Sequence, residues 1–228
     1  MAGRPPEVSS AKTAFNEVLS QASRLYDDIK PFCTMNQSTI VNNSIHPKQA
    51  NKFLGLAFLS ILAGWEEFIE ISFIRYLAGS ITRNGYAPKL RIGRCENLQH
   101  AYEIVSGQLN FNPARRFLSW TSFQTVIYRA KLFFDNGDPY SSVTIQEIIK
   151  IFDANNIRNR IAHGSHKIKT EFKKVALCML NRTSLHQGFD VGTLLLSSPT
   201  VQFPDTRETD IFKAYIEFFE NLRDRLVP

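Results

Sequence analysis

The sequence predicts an all-α fold, and three observations support this prediction. Apolar residues recur at intervals of three and four positions, the period of one helix face, along most of the 228 residues. Proline and glycine mark the ends of several of these stretches, as at Pro31 and Gly79. The composition, with 43% hydrophobic and 21% charged residues, is that of a globular protein and excludes a disordered tail, a collagen or a coiled-coil rod.

Two long helices are predicted in the first third of the chain. The first covers Ser9 to Ile29 and is expected to stop at Pro31, because proline has no amide hydrogen to donate. A polar loop is expected from Thr34 to His46. Pro47 suits the first turn of the next helix, in which apolar residues occupy nearly every side from Ala50 to Leu77. This helix is therefore expected at the centre of a bundle.

Shorter helices are predicted in the rest of the chain. Thr144 and Glu147 have the spacing of a capping box, which opens a helix. From Ala154 to His163 this helix either continues or restarts, and Gly164 is expected to stop it. The segment from Gly188 to Phe203 breaks the helical period and is predicted to form either a small β-hairpin or an irregular insertion. The remaining helices are predicted at Asn97–Leu109, Ser122–Phe134, Ile168–Leu180 and Thr206–Leu226.

One domain is expected over residues 1–228, because a chain of this length can bury a core without cross-links. The three cysteines are odd in number and too far apart for a disulfide framework or a zinc knuckle, which favours reduced thiols in the cytoplasm. Met1 to Ser10 lacks the apolar stretch of a signal peptide, and the longest uncharged apolar stretch, Phe53 to Trp65, is too short to cross a bilayer. We therefore expect a cytoplasmic protein with no membrane partner.

The charge and the motifs limit the classes of function. The net charge of +6, from 27 basic and 21 acidic residues, favours a polyanionic partner such as nucleic acid. No motif of a P-loop ATPase, a Rossmann dehydrogenase, a zincin protease or a serine hydrolase occurs in the sequence. His163 and His166 are three residues apart, but no carboxylate or thiolate stands beside them to complete a metal site. We expect neither a metal nor another cofactor.

The stretch most informative about function runs from Asn155 to Gly164, where a helix ends with two arginines, three asparagines and one histidine. On a helix, Asn159, Arg160 and His163 share one face, whereas Arg158 lies about 140° from His163. A long arginine side chain or a second copy of the helix is needed to bring both groups to one point. Two interpretations stay open: a solvated polar helix end, or a site where histidine moves protons and arginine holds a phosphate.

Two motifs in the sequence resemble those of the HEPN (higher eukaryotes and prokaryotes nucleotide-binding) superfamily. Arg158-Asn159-x-x-Ala162-His163-Gly164 is similar to the R-x4-6-H signature of that superfamily. Trp65-Glu66, on the long central helix, resembles the Trp-Glu signature of the RiboL-PSP-HEPN and related prokaryotic families. The resemblance covers roughly Ser9 to Leu180 and the last helix, but not Gly188 to Phe203.

The resemblance implies an α-helical bundle that forms a homodimer, with the motifs of two chains facing each other across a cleft. It implies a metal-independent endoribonuclease that uses the 2′-hydroxyl of its RNA substrate as the nucleophile. It also implies a toxin or anti-phage effector, with an antitoxin or defence-system protein as partner. His163 would then be the general acid/base, Arg158 would hold the scissile phosphate, and Asn159 would orient the substrate or the histidine. Apart from the resemblance, Lys167, Lys169, Lys173 and Lys174 follow the motif on the next helix and are expected to form a phosphate-attracting rim, with Arg160 as a further substrate-binding residue.

Several alternatives stay open at this point. The chain is alternatively a non-catalytic HEPN-like module that binds nucleotide or RNA or regulates a defence complex, or a structural adaptor in which the motif is only a helix end. The lysines of the rim are alternatively a solvated helix face. Glu66 is expected either to pair with Arg158 or Arg160 or to be exposed. Trp65 is expected in the core rather than as a base-stacking platform.

Overall fold

The computed structural model describes residues 7–33, 45–116, 118–199 and 202–228. Within those ranges the regular structure is helical, and only one isolated antiparallel bridge, between Leu90 and Phe134, resembles a β-contact. The prediction of an all-α fold is confirmed. Most of the predicted loop from Thr34 to His46 lies outside the described residues. The helices are α1 (Ser9–Cys33), α2 (Pro47–Leu77), α3 (Leu98–Ser106), α4 (Phe123–Phe133), α5 (Ile145–Ala162), α6 (His166–Met179), α7 (Val191–Leu195) and α8 (Ile211–Leu226).

The ends of α1 and α2 test the predictions made from proline and glycine. Helix α1 continues to Cys33, so the predicted stop at Pro31 is wrong and the proline lies in the last turn. A proline removes only one helical hydrogen bond, which a helix tolerates close to its end. Helix α2 begins at Pro47 and is followed by Gly79 at φ 78°, the left-handed conformation that glycine adopts most easily. Of the described helices, none combines the length and the apolarity needed to span a membrane.

Helix α5, which carries the Arg158–His163 motif, begins at the predicted capping box. The Thr144 backbone N–H donates to Glu147 Oε2 at 2.8 Å, and the Glu147 N–H donates to Thr144 Oγ1 at 3.3 Å. These reciprocal bonds satisfy two amides that have no partner inside the helix. The helix then runs unbroken to Ala162, so that one element carries the whole motif up to its histidine.

The hairpin alternative for Gly188 to Phe203 is wrong, because the described part of this segment contains helix α7 instead of paired strands. Asp190 caps α7, with its Oδ1 atom accepting the Thr193 N–H at 2.8 Å. Gly192 lies against α2, and a Cβ at this position would come within 2.5 Å of the Asn51 Cβ. The glycine therefore permits a close helix contact and does not mark the turn of a hairpin.

The chain forms two compact units, and each has its own aromatic core. The first comprises the described parts of Met1–Asn16, Gly64–Ile151 and Asn221–Pro228. Its core is built around Trp65, which is 2% exposed and lies 5.8 Å from Phe15 and 6.0 Å from Phe123 between ring centroids. Trp65 is therefore a core residue, as predicted. The assignment of residues 1–228 to one domain stays a prediction.

The second unit comprises the described parts of Glu17–Ala63 and Phe152–Glu220, and it contains the motif. Phe58 packs against Tyr215 with their ring centroids 5.2 Å apart, and Tyr26 stacks on Phe212 at 4.8 Å. On α5, Ala154 and Ile157 are fully buried within this core. Their burial fixes which side of α5 faces inward and leaves the polar residues of the motif at the surface.

A buried carboxylate, Asp210, joins α1 to the start of α8 in the second unit. Asp210 is 1% exposed and accepts hydrogen bonds from the Tyr26 hydroxyl and, at 3.1 Å, from Lys30 Nζ. Its other oxygen accepts the Lys213 N–H at 3.1 Å, as an N-cap does. One side chain therefore satisfies a buried hydroxyl, a lysine and a helix end.

Replacement of Asp210 by alanine is expected to lower the free energy of unfolding by about 2–4 kcal/mol, from the lost cap and the unsatisfied Tyr26 hydroxyl. Urea titration followed by circular dichroism measures this loss. Asp210→Asn keeps one side-chain oxygen to accept the Lys213 N–H, and its amide N–H groups can donate to the Tyr26 hydroxyl, so this variant should lose less stability than Asp210→Ala. Asp205→Ala, at an exposed carboxylate five residues earlier, is the control and should change stability by less than about 0.5 kcal/mol. Equal losses for Asp210→Ala and Asp205→Ala would contradict this account of Asp210.

Candidate active site

The motif residues occupy the last turn of α5 and the residue that follows it. Arg158 and Asn159 are half-buried, and His163 is exposed directly after the helix end at Ala162. The His163 N–H still donates to the Asn159 carbonyl at 2.9 Å, so His163 continues the helical turn by one residue. The predicted position of the motif at a helix end is therefore confirmed.

The chain leaves α5 because a new helix is capped only three residues later. Ser165 has extended backbone angles, and its Oγ accepts the Ile168 N–H at 3.4 Å to open α6. Gly164 lies between the two helices, outside the left-handed region and with open space around the position of a Cβ. The stop predicted at Gly164 thus comes from the capping of the following helix and not from a left-handed glycine.

Two of the predicted catalytic residues are in direct contact. Arg158 Nη1 donates to Asn159 Oδ1 at 3.3 Å, which holds the amide beside the guanidinium. A guanidinium carries its N–H groups in a planar fork that suits phosphate oxygens. The structure therefore brings Arg158 and Asn159 together as one polar group.

The His163 imidazole is not part of that group. Among the described residues its ring has no hydrogen-bond partner. Besides the N–H bond to Asn159, its backbone has a contact with Arg160, whose Nη1 lies 3.5 Å from the His163 carbonyl oxygen. A catalytic histidine is normally oriented by a bond to its second nitrogen. Within the part of the chain that the structure describes, nothing orients this ring, and its solvent exposure leaves it accessible to a ligand or to another chain.

The lysines predicted to form a rim lie on the first turns of α6. Lys167 and Lys169 are both exposed, and neither has an acidic partner within ion-pair distance among residues 7–33, 45–116, 118–199 and 202–228. Farther along α6, Lys174 pairs with Glu171 at 2.9 Å. The beginning of α6 therefore adds two uncompensated positive charges next in sequence to the motif.

Sequence analysis missed two further basic residues, Lys48 and Lys52 of α2. Together with Arg160 they line a surface cavity of about 630 Å³ in the second unit. No local pattern could have indicated this, because the lysines and Arg160 are distant in the sequence and meet only after α2 and α5 have packed. The two helices pack closely at Gly55 and Ile161, where a Cβ on the glycine would lie 3.5 Å from Ile161 Cγ1. This packing brings the lysines of α2 near Arg160 of α5.

A buried carboxylate on α5, Asp153, lies on the inward side of the helix. Asp153 is 8% exposed, and burial raises its pKa, which the hydrogen bond donated by Gln202 partly offsets. Because this side chain faces the core, it is not among the groups that the helix end presents at the surface. Its contact with Gln202 instead ties α5 to the chain that precedes α8.

The glutamate of the Trp-Glu pair, Glu66, is half-buried in the first unit and accepts a hydrogen bond from Thr121 Oγ1 at 3.1 Å. Its participation in the site stays a prediction. In the described ranges, no group of three or more His, Cys, Asp or Glu side chains is arranged to hold a metal ion.

No family model, curated protein or solved structure matches the chain. The resemblance of Arg158–Gly164 and Trp65-Glu66 to the HEPN superfamily stays a prediction. The groups available for chemistry lie at the polar end of α5. They are a guanidinium held beside an amide, an exposed imidazole one turn away, and the basic residues of α2 and α6.

Proposed function

We propose that this protein is a metal-independent endoribonuclease of the HEPN type, active as a homodimer. The observation that carries the proposal is the end of α5, where Arg158, its bonded neighbour Asn159 and the exposed His163 stand within two turns at the surface. Arginine binds the charge of a phosphate at any physiological pH, and histidine transfers protons near neutrality. These are the two groups that cleavage of RNA through its own 2′-hydroxyl requires.

The proposed reaction is a transesterification at one phosphate of the RNA. His163 takes the proton of the 2′-hydroxyl, the 2′-oxygen attacks phosphorus, and the bond between phosphorus and the 5′-oxygen breaks. The leaving 5′-oxygen takes up a proton from solvent, and His163 releases to solvent the proton it took, so the products are a 2′,3′-cyclic phosphate and a 5′-hydroxyl. Arg158 neutralises the negative charge that builds up on the phosphate oxygens in the transition state, and Asn159 holds its guanidinium in place.

A second copy of the chain is proposed to complete the site. Arg158 and His163 diverge by about 140° on one helix, and the imidazole has no orienting partner within the described chain. Helix α5 also exposes three large apolar side chains within about 40° of the His163 direction: Ile145 (74%), Ile149 (44%) and Phe152 (62%). Exposed apolar side chains in a row are typical of an interface. Ile157, on the same helix, is fully buried and is therefore not part of this exposed row.

The biological setting that the HEPN resemblance implies is part of the proposal. The protein would cut cellular or phage RNA in the cytoplasm, as a toxin or an anti-phage effector, under the control of an antitoxin or another defence-system protein. The net charge of +6 supports an RNA substrate, because phosphate contacts dominate the affinity of proteins for nucleic acids.

A second candidate function is a non-catalytic HEPN-like module that binds RNA or nucleotide or regulates a defence complex. One observation favours it: the unoriented His163 ring does not itself show the geometry of a general base. The two candidates differ in one respect that can be measured directly. A binding module retains intact RNA, whereas the enzyme converts it to shorter fragments with defined ends.

Incubation of the purified protein with total RNA in the presence of EDTA is expected to yield fragments ending in 2′,3′-cyclic phosphate or its 3′-phosphate hydrolysis product. The reason is that the 2′-hydroxyl needs no water activated by a metal. Gel electrophoresis and mass spectrometry of the fragment ends measure both properties. Addition of Mg²⁺ should change the rate by less than about tenfold. Fragments with 5′-phosphate and 3′-hydroxyl ends that form only with Mg²⁺ would indicate a different class of enzyme, and intact RNA would favour the binding module.

A further inference from the structure

A groove beside the end of α5 has the properties of a nucleotide-binding site. Its volume is about 630 Å³, within the range of small-molecule sites in proteins. Its lining comes from the beginning of α2, the last turn of α5 and the segment from Gly188 to Thr193. All of these residues belong to the second compact unit.

The groove has a net positive charge, and its lysines are not neutralised by acidic side chains of the described chain. Lys48 and Lys52 are exposed and, among the residues that the structure describes, have no acidic partner within ion-pair distance. The carboxylate of the groove, Asp190, is already engaged by the backbone N–H and the hydroxyl of Thr193, both at 2.8 Å, and by the Asn51 amide at 3.4 Å. The three basic side chains, including Arg160, therefore outweigh an acid whose oxygens are already hydrogen-bonded.

The rest of the lining suits the flat apolar face of a base. Leu56 is 51% exposed in the groove, and Ile161 lies half-buried opposite it. Gly55, which also lines the groove, has no side chain and packs directly on Ile161. A base against these aliphatic groups, with its phosphates toward the lysines, would satisfy both the apolar and the charged parts of the lining.

The groove also lies next to the proposed catalytic histidine. Arg160 contributes to its lining, and the Nη1 atom of the same arginine is 3.5 Å from the His163 carbonyl oxygen. A chain of nucleotides that entered the groove would therefore pass beside His163. We propose that this groove binds one nucleotide of single-stranded RNA next to the phosphate that is cut, with Lys48 and Lys52 on its phosphates and Leu56 against its base; this inference rests on the proposed ribonuclease function.

The experiment measures binding without cleavage. A fluorescein-labelled 2′-O-methyl RNA oligonucleotide of mixed sequence, which lacks the attacking hydroxyl, is titrated with the full-length protein, and anisotropy is followed at several salt concentrations. The double variant Lys48→Glu and Lys52→Glu is expected to raise the Kd by about tenfold or more and to reduce the slope of log K against log salt by about two. Leu56→Ala is expected to raise the Kd by about threefold while leaving the salt slope unchanged, because it removes only apolar contact.

The control variant has the same change of charge at another place. Arg115→Glu with Arg116→Glu alters two exposed side chains of the first unit that do not line the groove, and it should change the Kd by less than threefold. All four of these side chains are exposed, so circular dichroism should show folded protein for both double variants. Equal weakening by the two double variants would overturn the proposal, because binding would then depend on overall charge alone. A Kd for adenosine monophosphate as low as that for the oligonucleotide would also overturn it in favour of a site for free nucleotides.

The outcomes separate this inference from the proposed enzyme activity. Cleavage and binding of RNA that are both insensitive to Lys48→Glu with Lys52→Glu would overturn the groove and leave the ribonuclease proposal intact. Oligonucleotide binding that depends on these lysines, in a protein that leaves natural RNA uncut, would support the groove and overturn the ribonuclease proposal. Failure of the wild-type protein to bind the oligonucleotide even at low salt would overturn the groove.

Discussion

Replacement of His163 by alanine is expected to lower the rate of RNA cleavage by about 10²- to 10⁴-fold, the usual contribution of a general acid/base. The fold should be unaffected, because His163 is exposed and its ring makes no hydrogen bond within the described chain. The Kd for a 2′-O-methyl oligonucleotide should change by less than about threefold, since the phosphate contacts come from arginine and lysine. The loss should therefore appear in kcat much more than in KM.

A neighbouring histidine provides the control for this variant. His166, at the first position of α6, is exposed like His163 and lies three residues along the chain. His166→Ala removes the same imidazole and should leave the cleavage rate within about threefold of wild type, far below the contribution of a catalytic histidine. Single-turnover cleavage of a defined RNA by both variants gives the comparison. Equal rates for His163→Ala and wild type, or equal losses for both histidine variants, would contradict the assignment of His163 as the catalytic group.

The fold could be predicted where the deciding interactions are local. Thr144 and Glu147 bond each other across one turn, and the capping box can therefore be identified from four residues of sequence. Gly192 shows why the hairpin alternative was wrong. The close approach of Asn51 leaves no room for a side chain at Gly192, and no pattern near Gly192 can indicate that contact. Composition alone could not distinguish a glycine that permits close packing from one that makes a turn.

In the candidate site, too, the features set by local sequence could be predicted and those set by distant contacts could not. Arg158, Asn159 and His163 lie within six positions, so the period of the helix was enough to place them at one helix end and to show that arginine and histidine diverge. Lys48 and Lys52 could not be predicted in this way, because they lie near Arg160 only after α2 has packed against α5 in the second unit. The burial of Ile157 likewise depends on which side of α5 faces the core.

Because Arg158 and His163 point in different directions on one helix, mixing two inactive variants is expected to restore RNA cleavage. If each site takes its arginine from one chain and its histidine from the other, then Arg158→Ala and His163→Ala should each be inactive alone but active when mixed. Random exchange makes half of the dimers mixed, and each mixed dimer has one intact site out of two. The mixture should therefore recover about one quarter of the wild-type rate. The measurement is single-turnover RNA cleavage after the two variants have been mixed and allowed to exchange subunits.

The control mixture combines His163→Ala with a chain that carries both substitutions, so that no arginine and histidine can complement each other, and it should stay inactive. Light scattering and thermal melting of each variant are needed as well, because Arg158 is half-buried and its loss must be shown to leave the dimer folded. Arg158→Gln, which keeps most of the side-chain volume, should give the same recovery. A monomeric wild-type protein that still cuts RNA, or a mixture as inactive as its control despite verified subunit exchange, would contradict a site shared between two chains. In that case the flexible Arg158 side chain would have to reach the His163 side of its own helix when RNA binds.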